Sequence, residues 1–201
     1  MKLIFVGPQG SGKGTQAKKV ALKFGLCHIS TGDLLRECEG DLKAEVDRVM
    51  SEGKLVGDDL IVRLLKEKLE GKDCEKGFIL DGFPRNVAQA EMLKEITEID
   101  KVFEIAISDE ESVRRVCGRR NCSKCGEIFN VYFKKPVVEG VCDSCGGELL
   151  QRADDNEEAL LERLKVYHKE TESILKMYDF VRVDGSRGIE EVFSDIVLKL
   201  D

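Results

Sequence analysis

Gly7-Pro8-Gln9-Gly10-Ser11-Gly12-Lys13-Gly14-Thr15 is the stretch whose reading decides the fold. It follows a short apolar run, Lys2 to Val6, and precedes Gln16 to Phe24. In the latter, Ala17, Val20, Ala21 and Phe24 fall at helical spacing, and Gly25 ends the run. A strand, a glycine-rich turn and a helix with a lysine at its mouth form the phosphate-binding pattern, and Gly7, four residues, Gly12 and Lys13 fit its spacing. The glycines let the backbone wind tightly and aim N–H groups inward, while the helix N-terminus adds positive potential. Lys13 supplies a point charge for the outer phosphates. One position departs from the general motif. Gly14 stands where Ser or Thr usually follows the lysine, and the hydroxyl arrives at Thr15. Magnesium is therefore expected to be held mostly by phosphates and water. A dinucleotide-binding turn is disfavoured, because GxGxxG is not met and no acidic residue ends the second strand.

The chain of 201 residues is long enough for one real core with a small appendage. Its 32 basic and 39 acidic residues leave a net charge of -7, the opposite of a nucleic-acid footprint. No apolar run approaches membrane-spanning length, so a cytoplasmic protein with no membrane or nucleic-acid partner is expected. Of eight cysteines, four form two CxxC pairs and the others, Cys27, Cys38, Cys74 and Cys117, stand singly, which is no disulfide framework.

Along the chain, Leu26 to Ile29 reads as a second strand, with His28 a packed strand residue rather than a catalytic one. Ser30 or Thr31 caps a new helix that carries Arg36. Helical stretches near 41–52 and 58–69 follow, broken at Gly53 and Gly57, with Lys54-Leu55-Val56 between them. Gly77 to Leu80 is the third strand and leads into Asp81-Gly82-Phe83-Pro84-Arg85. This turn sits at the carboxyl end of a parallel strand, the edge where such sheets bind ligands. Taken alone, it also fits a plain turn with an exposed arginine. Asp81, a carboxylate after an apolar strand, suits a metal-bound water. Asn86 to Ile96 is the next helix, with Gln89 one turn in. Val102 to Ile107 is strand four. A helix from Asp109 to Arg119, capped by Ser108, would place Arg115 and Arg119 on one face.

Cys122-x-x-Cys125, sixteen residues, then Cys142-x-x-Cys145 is zinc spacing. Four thiolates close a tetrahedral shell, so the zinc would be structural, and it would order a segment with little core of its own. Arg152 follows this segment. Asn156 onward returns to helix with Arg163 off its apolar stripe. Phe180 to Val183 is strand five and Ile189 to Leu200 a closing helix. The sum is an α/β fold: a five-stranded parallel sheet with helices on both faces, of the P-loop NTPase type. A small helical insertion, which the resemblance described below makes NMP-binding, and a zinc-ribbon-like lid are added to it. The expected division is a core of 1–29, 57–120 and 152–201, a flap of 30–56 and a lid of 121–151.

Lys13, Arg36, Arg85, Arg115, Arg119, Arg152 and Arg163 suit phosphoryl transfer between two nucleotides, which needs positive charge and little covalent machinery. A phosphate acceptor is already ionised near neutral pH, so no general base is needed. In order and spacing, GPQGSGKGTQ, STGDLLR, GFILDGFPR, VCGRR, QRADDNEE and VDG resemble the adenylate kinase family over essentially the whole chain. The four-cysteine insertion resembles the zinc-bearing lid of many bacterial-type members. The resemblance implies ATP + AMP to two ADP with Mg2+, nucleotide partners ATP, AMP and ADP, and a monomer. It implies ATP phosphates on Gly10, Ser11, Gly12, Lys13, Gly14 and Thr15, with Arg115, Arg119, Ile128 and Phe129 contacting ATP and the backbone near Arg187 its adenine. It implies AMP on Thr31, Arg36, Lys54, Leu55, Val56, Gly82, Phe83, Pro84, Arg85 and Gln89, with Arg152 and Arg163 bridging the phosphates. A UMP- or CMP-type kinase would share the loop and DGFPR, but Thr31, Gln89 and the lid favour AMP. A zinc-ribbon nucleic-acid module would want a basic ribbon face, and Glu127, Glu139, Asp143 and Glu148 offset Lys124, Lys134 and Lys135 there.

Overall fold

The structure is a computed structural model that describes residues 1–36, 43, 46, 48 and 57–200. The helix expected near 41–52 falls mostly outside the described residues, and Lys54, Leu55 and Val56 lie outside them entirely.

Five parallel strands form the central sheet: β1 (Lys2–Val6), β2 (Cys27–Ser30), β3 (Phe78–Asp81), β4 (Lys101–Ala106) and, last in the chain, β8 (Phe180–Asp184). Their spatial order is β2-β3-β1-β4-β8, with Ile4 opposite Leu80 on one side and Val102 on the other. Both faces of β1 are covered, which is why its sequence is continuously apolar. Leu3 and Phe5 face a cluster with Ala17, Val20, Phe103, Ile105 and Ile196, built from α1 (Lys13–Phe24) and the last helix, Ile189–Leu198. Ile4 and Val6 face the opposite way, towards Ile29, Leu65, Leu80, Phe83 and Leu93. Leu65 comes from the helix Asp58–Leu69 and Leu93 from Val87–Ile96. Alternate residues of one strand thus serve two separate cores.

Helix starts follow short polar side chains. Asn86, Ser108 and Asn156 accept hydrogen bonds from the backbone N–H groups of Gln89, Glu111 and Ala159 at 2.8, 3.2 and 2.9 Å. The helix after Asn156 runs Glu157–Val166 and then widens into a π turn over Tyr167–Thr171. Among the described residues, no helix is long and apolar enough to cross a membrane.

One expected element is corrected. The helix after Ser108 is Asp109–Cys117 and does not reach Arg119, so Arg115 and Arg119 do not share a helix face. Arg119 instead opens β5 (Arg119–Cys122), antiparallel to β6 (Ile128–Asn130) and β7 (Leu149–Leu150). The returning chain ends the helix. Asn130 Nδ2 donates to Arg115 O at 2.8 Å and Val131 N to Gly118 O at 2.9 Å. At Gly118 a Cβ would lie 2.7 Å from the Tyr132 ring, so the close approach requires glycine. Helical periodicity ran on past Cys117, but tertiary contact stops it there.

Phe103 is fully buried and packs edge-on against Phe5, ring centroids 5.5 Å apart. Phe103→Ala should cost about 3–5 kcal/mol by losing that contact and opening a cavity. Denaturant unfolding checks this, and a loss below about 1 kcal/mol would mean the two-faced core is not packed as described.

Candidate active site

The carboxyl ends of β1, β2, β3 and β4 open on one edge of the sheet, and the charged residues gather there. Between β1 and α1 the chain turns through Gly10 and Gly12, whose φ values of 77° and 91° lie in the left-handed region. The Ser11 side chain is buried in this turn and its Oγ has no hydrogen-bond partner, nor has Gln9 Oε1. Two buried polar atoms without partners beside a helix N-terminus are what a phosphate cradle leaves before its ligand arrives.

Lys13 reaches back to Pro8 O at 3.1 Å. Its side chain keeps some solvent contact, yet the ammonium is ringed by protein. Burial pushes its pKa down to about 8; Asp81 pulls upward, and Arg85, Arg163 and Arg119 push down further. Gly14 now has a physical reason. A Cβ there would stand 2.9 Å from Asp81 Oδ2, so the missing hydroxyl residue makes room for that carboxylate. His28 lies packed behind, its Nε2 3.5 Å from the same oxygen without a hydrogen bond to it.

The turn after β3 is held from three sides. Arg85 Nε donates to Gly82 O at 2.7 Å, Thr31 Oγ1 donates to Gly82 O at 2.9 Å, and Thr171 Oγ1 donates to Arg85 O at 2.8 Å. Phe83 anchors it in the core, followed by a cis bond to Pro84. Burial, then Arg163, lowers the Arg85 guanidinium to about 10, still charged at neutral pH. Gln89, fully buried, accepts from Arg85 N at 2.7 Å and donates to Asp58 Oδ1 at 2.6 Å.

The remaining arginines lean on carboxylates. Arg36 pairs with Asp33 at 2.5 Å and Arg163 with Asp154 at 3.0 Å. Arg119 holds fully buried Asp155 through both Nε and a second nitrogen. Arg152 makes no side-chain hydrogen bond among the described residues; burial first, then Arg119 and Arg36, brings it down to about 10. Burial would raise Asp33, but Arg36 and Ser30 hold its carboxyl below the usual range. Lys13, Arg36, Arg85, Arg119, Arg152 and Arg163 are therefore linked, neighbour to neighbour, by one another's charge. Arg115 borders this set, bonded to Glu111 at 2.7 Å and to Gly185 O at 2.8 Å. Arg187 does not join: its side chain turns outward to Asp195. Phe129 is buried inside the lid, while Ile128 is half-buried.

The carboxylates Asp33, Asp58, Asp154 and Asp155 escaped the sequence reading. For Asp154 and Asp155 the signal was present in the acidic pair of QRADDNEE, since crowded cations need counter-charges.

The two CxxC pairs meet. Cys122 and Cys145 Sγ are 3.4 Å apart, Cys125 and Cys142 Sγ 3.7 Å, and all four lie within 4.8 Å of one another. A tetrahedral shell with metal–sulfur bonds of about 2.3 Å has edges of about 3.8 Å, so the four thiols fit a zinc-sized ion with no open position.

Together, sheet and site define a P-loop phosphotransferase. A family model described as adenylate kinase matches residues 5–182. The adenylate kinase of Archaeoglobus fulgidus is 46% identical over 208 residues, covering 98% of this chain and 96% of its own. That of Treponema denticola is 45% identical over 206 residues, with 99% of each chain covered. The one from Thermodesulfovibrio yellowstonii is 44% identical over 213 residues, covering 100% of this chain and 99% of its own. The chain belongs to the adenylate kinase family.

With its pKa near 8, free Lys13 loses its proton as pH rises through that value, and only the ammonium attracts phosphate. Triphosphate binding near pH 9 should therefore take up protons and weaken as pH rises, while binding at pH 7 should not take them up. Calorimetry in buffers of different ionisation heat measures this. Equal proton uptake at pH 7 and 9, or uptake that persists in Lys13→Ala, would assign the titration elsewhere.

Proposed function

We propose that the protein catalyses reversible, magnesium-dependent transfer of a phosphoryl group, ATP + AMP to two ADP. What supports the reading is the linked set of cations, Lys13, Arg36, Arg85, Arg119, Arg152 and Arg163, that begins at the glycine turn. Phosphoryl transfer asks for positioning and charge stabilisation rather than covalent catalysis. Gly10 to Thr15 bind the ATP phosphates through backbone N–H groups and Lys13. Arg119, with Arg115 and Ile128 beside it, holds ATP from the lid side. Arg85 and Arg36 hold the AMP phosphate. Arg152 and Arg163 bridge donor and acceptor, where charge builds up in the transition state.

The AMP phosphate is already ionised, so the chain needs no base to activate it. Bound with ATP, magnesium would supply charge neutralisation, and Asp81 would hold it through water. Thr31 and Gln89 give the preference for adenine. Gln89 has a donor to exchange: its amide, now on Asp58, would turn to the base edge. Residues 30–56 act as the AMP flap, 121–151 as the lid and the rest as the core, so that closure excludes water from the transfer. The protein acts as a monomer in this reading. The lid's four thiols hold zinc, and a reducing cytoplasm keeps them available.

A coupled assay across AMP, GMP, UMP and CMP tests the substrate. AMP should give the highest kcat/KM, by at least roughly the hundredfold that one lost hydrogen-bonding group commands; preference for a pyrimidine nucleotide would overturn the reading.

Zinc removal tests the lid. The small cluster of Cys122, Phe129, Cys142 and Leu149 is the lid's own core, too little to hold it without the metal. After chelation and verified metal loss, proteolysis should cut first within 121–151. A lid as resistant as before would show that the thiols do not staple it.

A further inference from the structure

A second group of metal-ligating side chains lies far from the phosphates. Cys27 opens β2 at the amino edge of the sheet, opposite the site. Asp73 and Cys74 sit in a short 3-10 turn, Lys72–Cys74, between the helix Asp58–Leu69 and β3. The Sγ of Cys27, the Sγ of Cys74 and a carboxylate oxygen of Asp73 all lie within 4.8 Å of one another. We infer that these three residues form a second metal site for a zinc-class divalent cation, with water in the fourth position.

The geometry fits at its measured edge. Cys27 Sγ stands 3.5 Å from Asp73 Oδ2. A tetrahedral ion with a sulfur leg of about 2.3 Å and an oxygen leg of about 2.0 Å spans about 3.5 Å between those two donors. Both cysteines are buried, 8% and 6% exposed, and Asp73 is exposed, so the sulfurs form a floor and the carboxylate an entrance from solvent. Charge also closes. Lys68 Nζ lies 2.7 Å from Asp73 Oδ2. Two thiolates, one carboxylate, one ammonium and a divalent ion sum to zero, which removes the main cost of burying them. In the binding step each thiol gives its proton to solvent and forms one sulfur–metal bond, so two protons leave per ion.

The position gives the site a structural meaning. Cys27 opens β2, whose far end leads into residues 30–56, and Cys74 follows the helix by which the chain returns. An ion between them would tie the feet of that strand and that helix together at the amino edge of the sheet.

Metal counting on the full chain tests this. Reduced protein is titrated with cobalt, and bound metal and thiolate-to-cobalt charge-transfer absorption are recorded. Wild type should take two equivalents. Cys74→Ala should lose one and keep the lid's. Asp73→Asn, an isosteric change at an exposed residue, should shift the second equivalent to higher cobalt. Cys142→Ala should keep the equivalent that Cys74→Ala loses. Saturation of wild type at one equivalent that Cys142→Ala loses and Cys74→Ala keeps, or a second equivalent indifferent to Cys74→Ala, would overturn the assignment; a single equivalent lost in Cys74→Ala would instead fault the lid reading.

Discussion

Mutual repulsion among fixed cations is the constraint on which the rest of this structure depends. Lys13, Arg36, Arg85, Arg119, Arg152 and Arg163 share one edge of a small sheet, and a chain left to itself would push them apart. They stay because five of the six, all but Arg152, are bonded to something rigid. Lys13 is fixed by a helix start, Arg85 by a turn bonded to Thr31 and Thr171, and Arg119 by a buried carboxylate. The two cores on either side of β1 supply that rigidity. The acidic residues Asp33, Asp154 and Asp155 offset part of the repulsion, leaving a surplus of positive charge for phosphate to neutralise.

Much of this was legible because it is local. The glycine turn, the strand before it and the DGFPR turn carry their meaning in consecutive residues, and their places followed once the sheet order was known. What stayed hidden depends on distant contact. Nothing next to Gly14 announces that Asp81 will press against it. Arg119 looked helical because the periodicity of Asp109–Cys117 continues into it; only the return of Asn130 and Val131 decides otherwise. Gln89 sits where adenine recognition expects it, yet its amide is taken by Asp58, 31 residues away. The cysteine spacing, by contrast, was enough to foretell that the four thiols of Cys122, Cys125, Cys142 and Cys145 gather within 4.8 Å of one another.

The lid and the sheet solve the problem of cohesion differently. The sheet uses buried area and tolerates long sequence separations. The three-stranded segment β5–β7 has a cluster of only four buried residues and brings four thiols together beside it. Its strand β5 grows directly out of the helix that carries Arg115, and that arginine also binds the carbonyl of Gly185. Lid, glycine turn and the loop after β8 are therefore coupled through one side chain.

The π turn at Tyr167–Thr171 has a consequence for how this chain can vary. It fits an extra residue into the coil, and its last residue hands a hydroxyl to the carbonyl of Arg85. Removing one position from Glu157–Val166 or from the turn would swing Thr171 about 100° around the axis and leave that carbonyl to water. Descendants of this sequence can exchange side chains along the solvent face of the helix freely, but insertions and deletions there should be purged, because its residue count sets the aim of an arginine on another element.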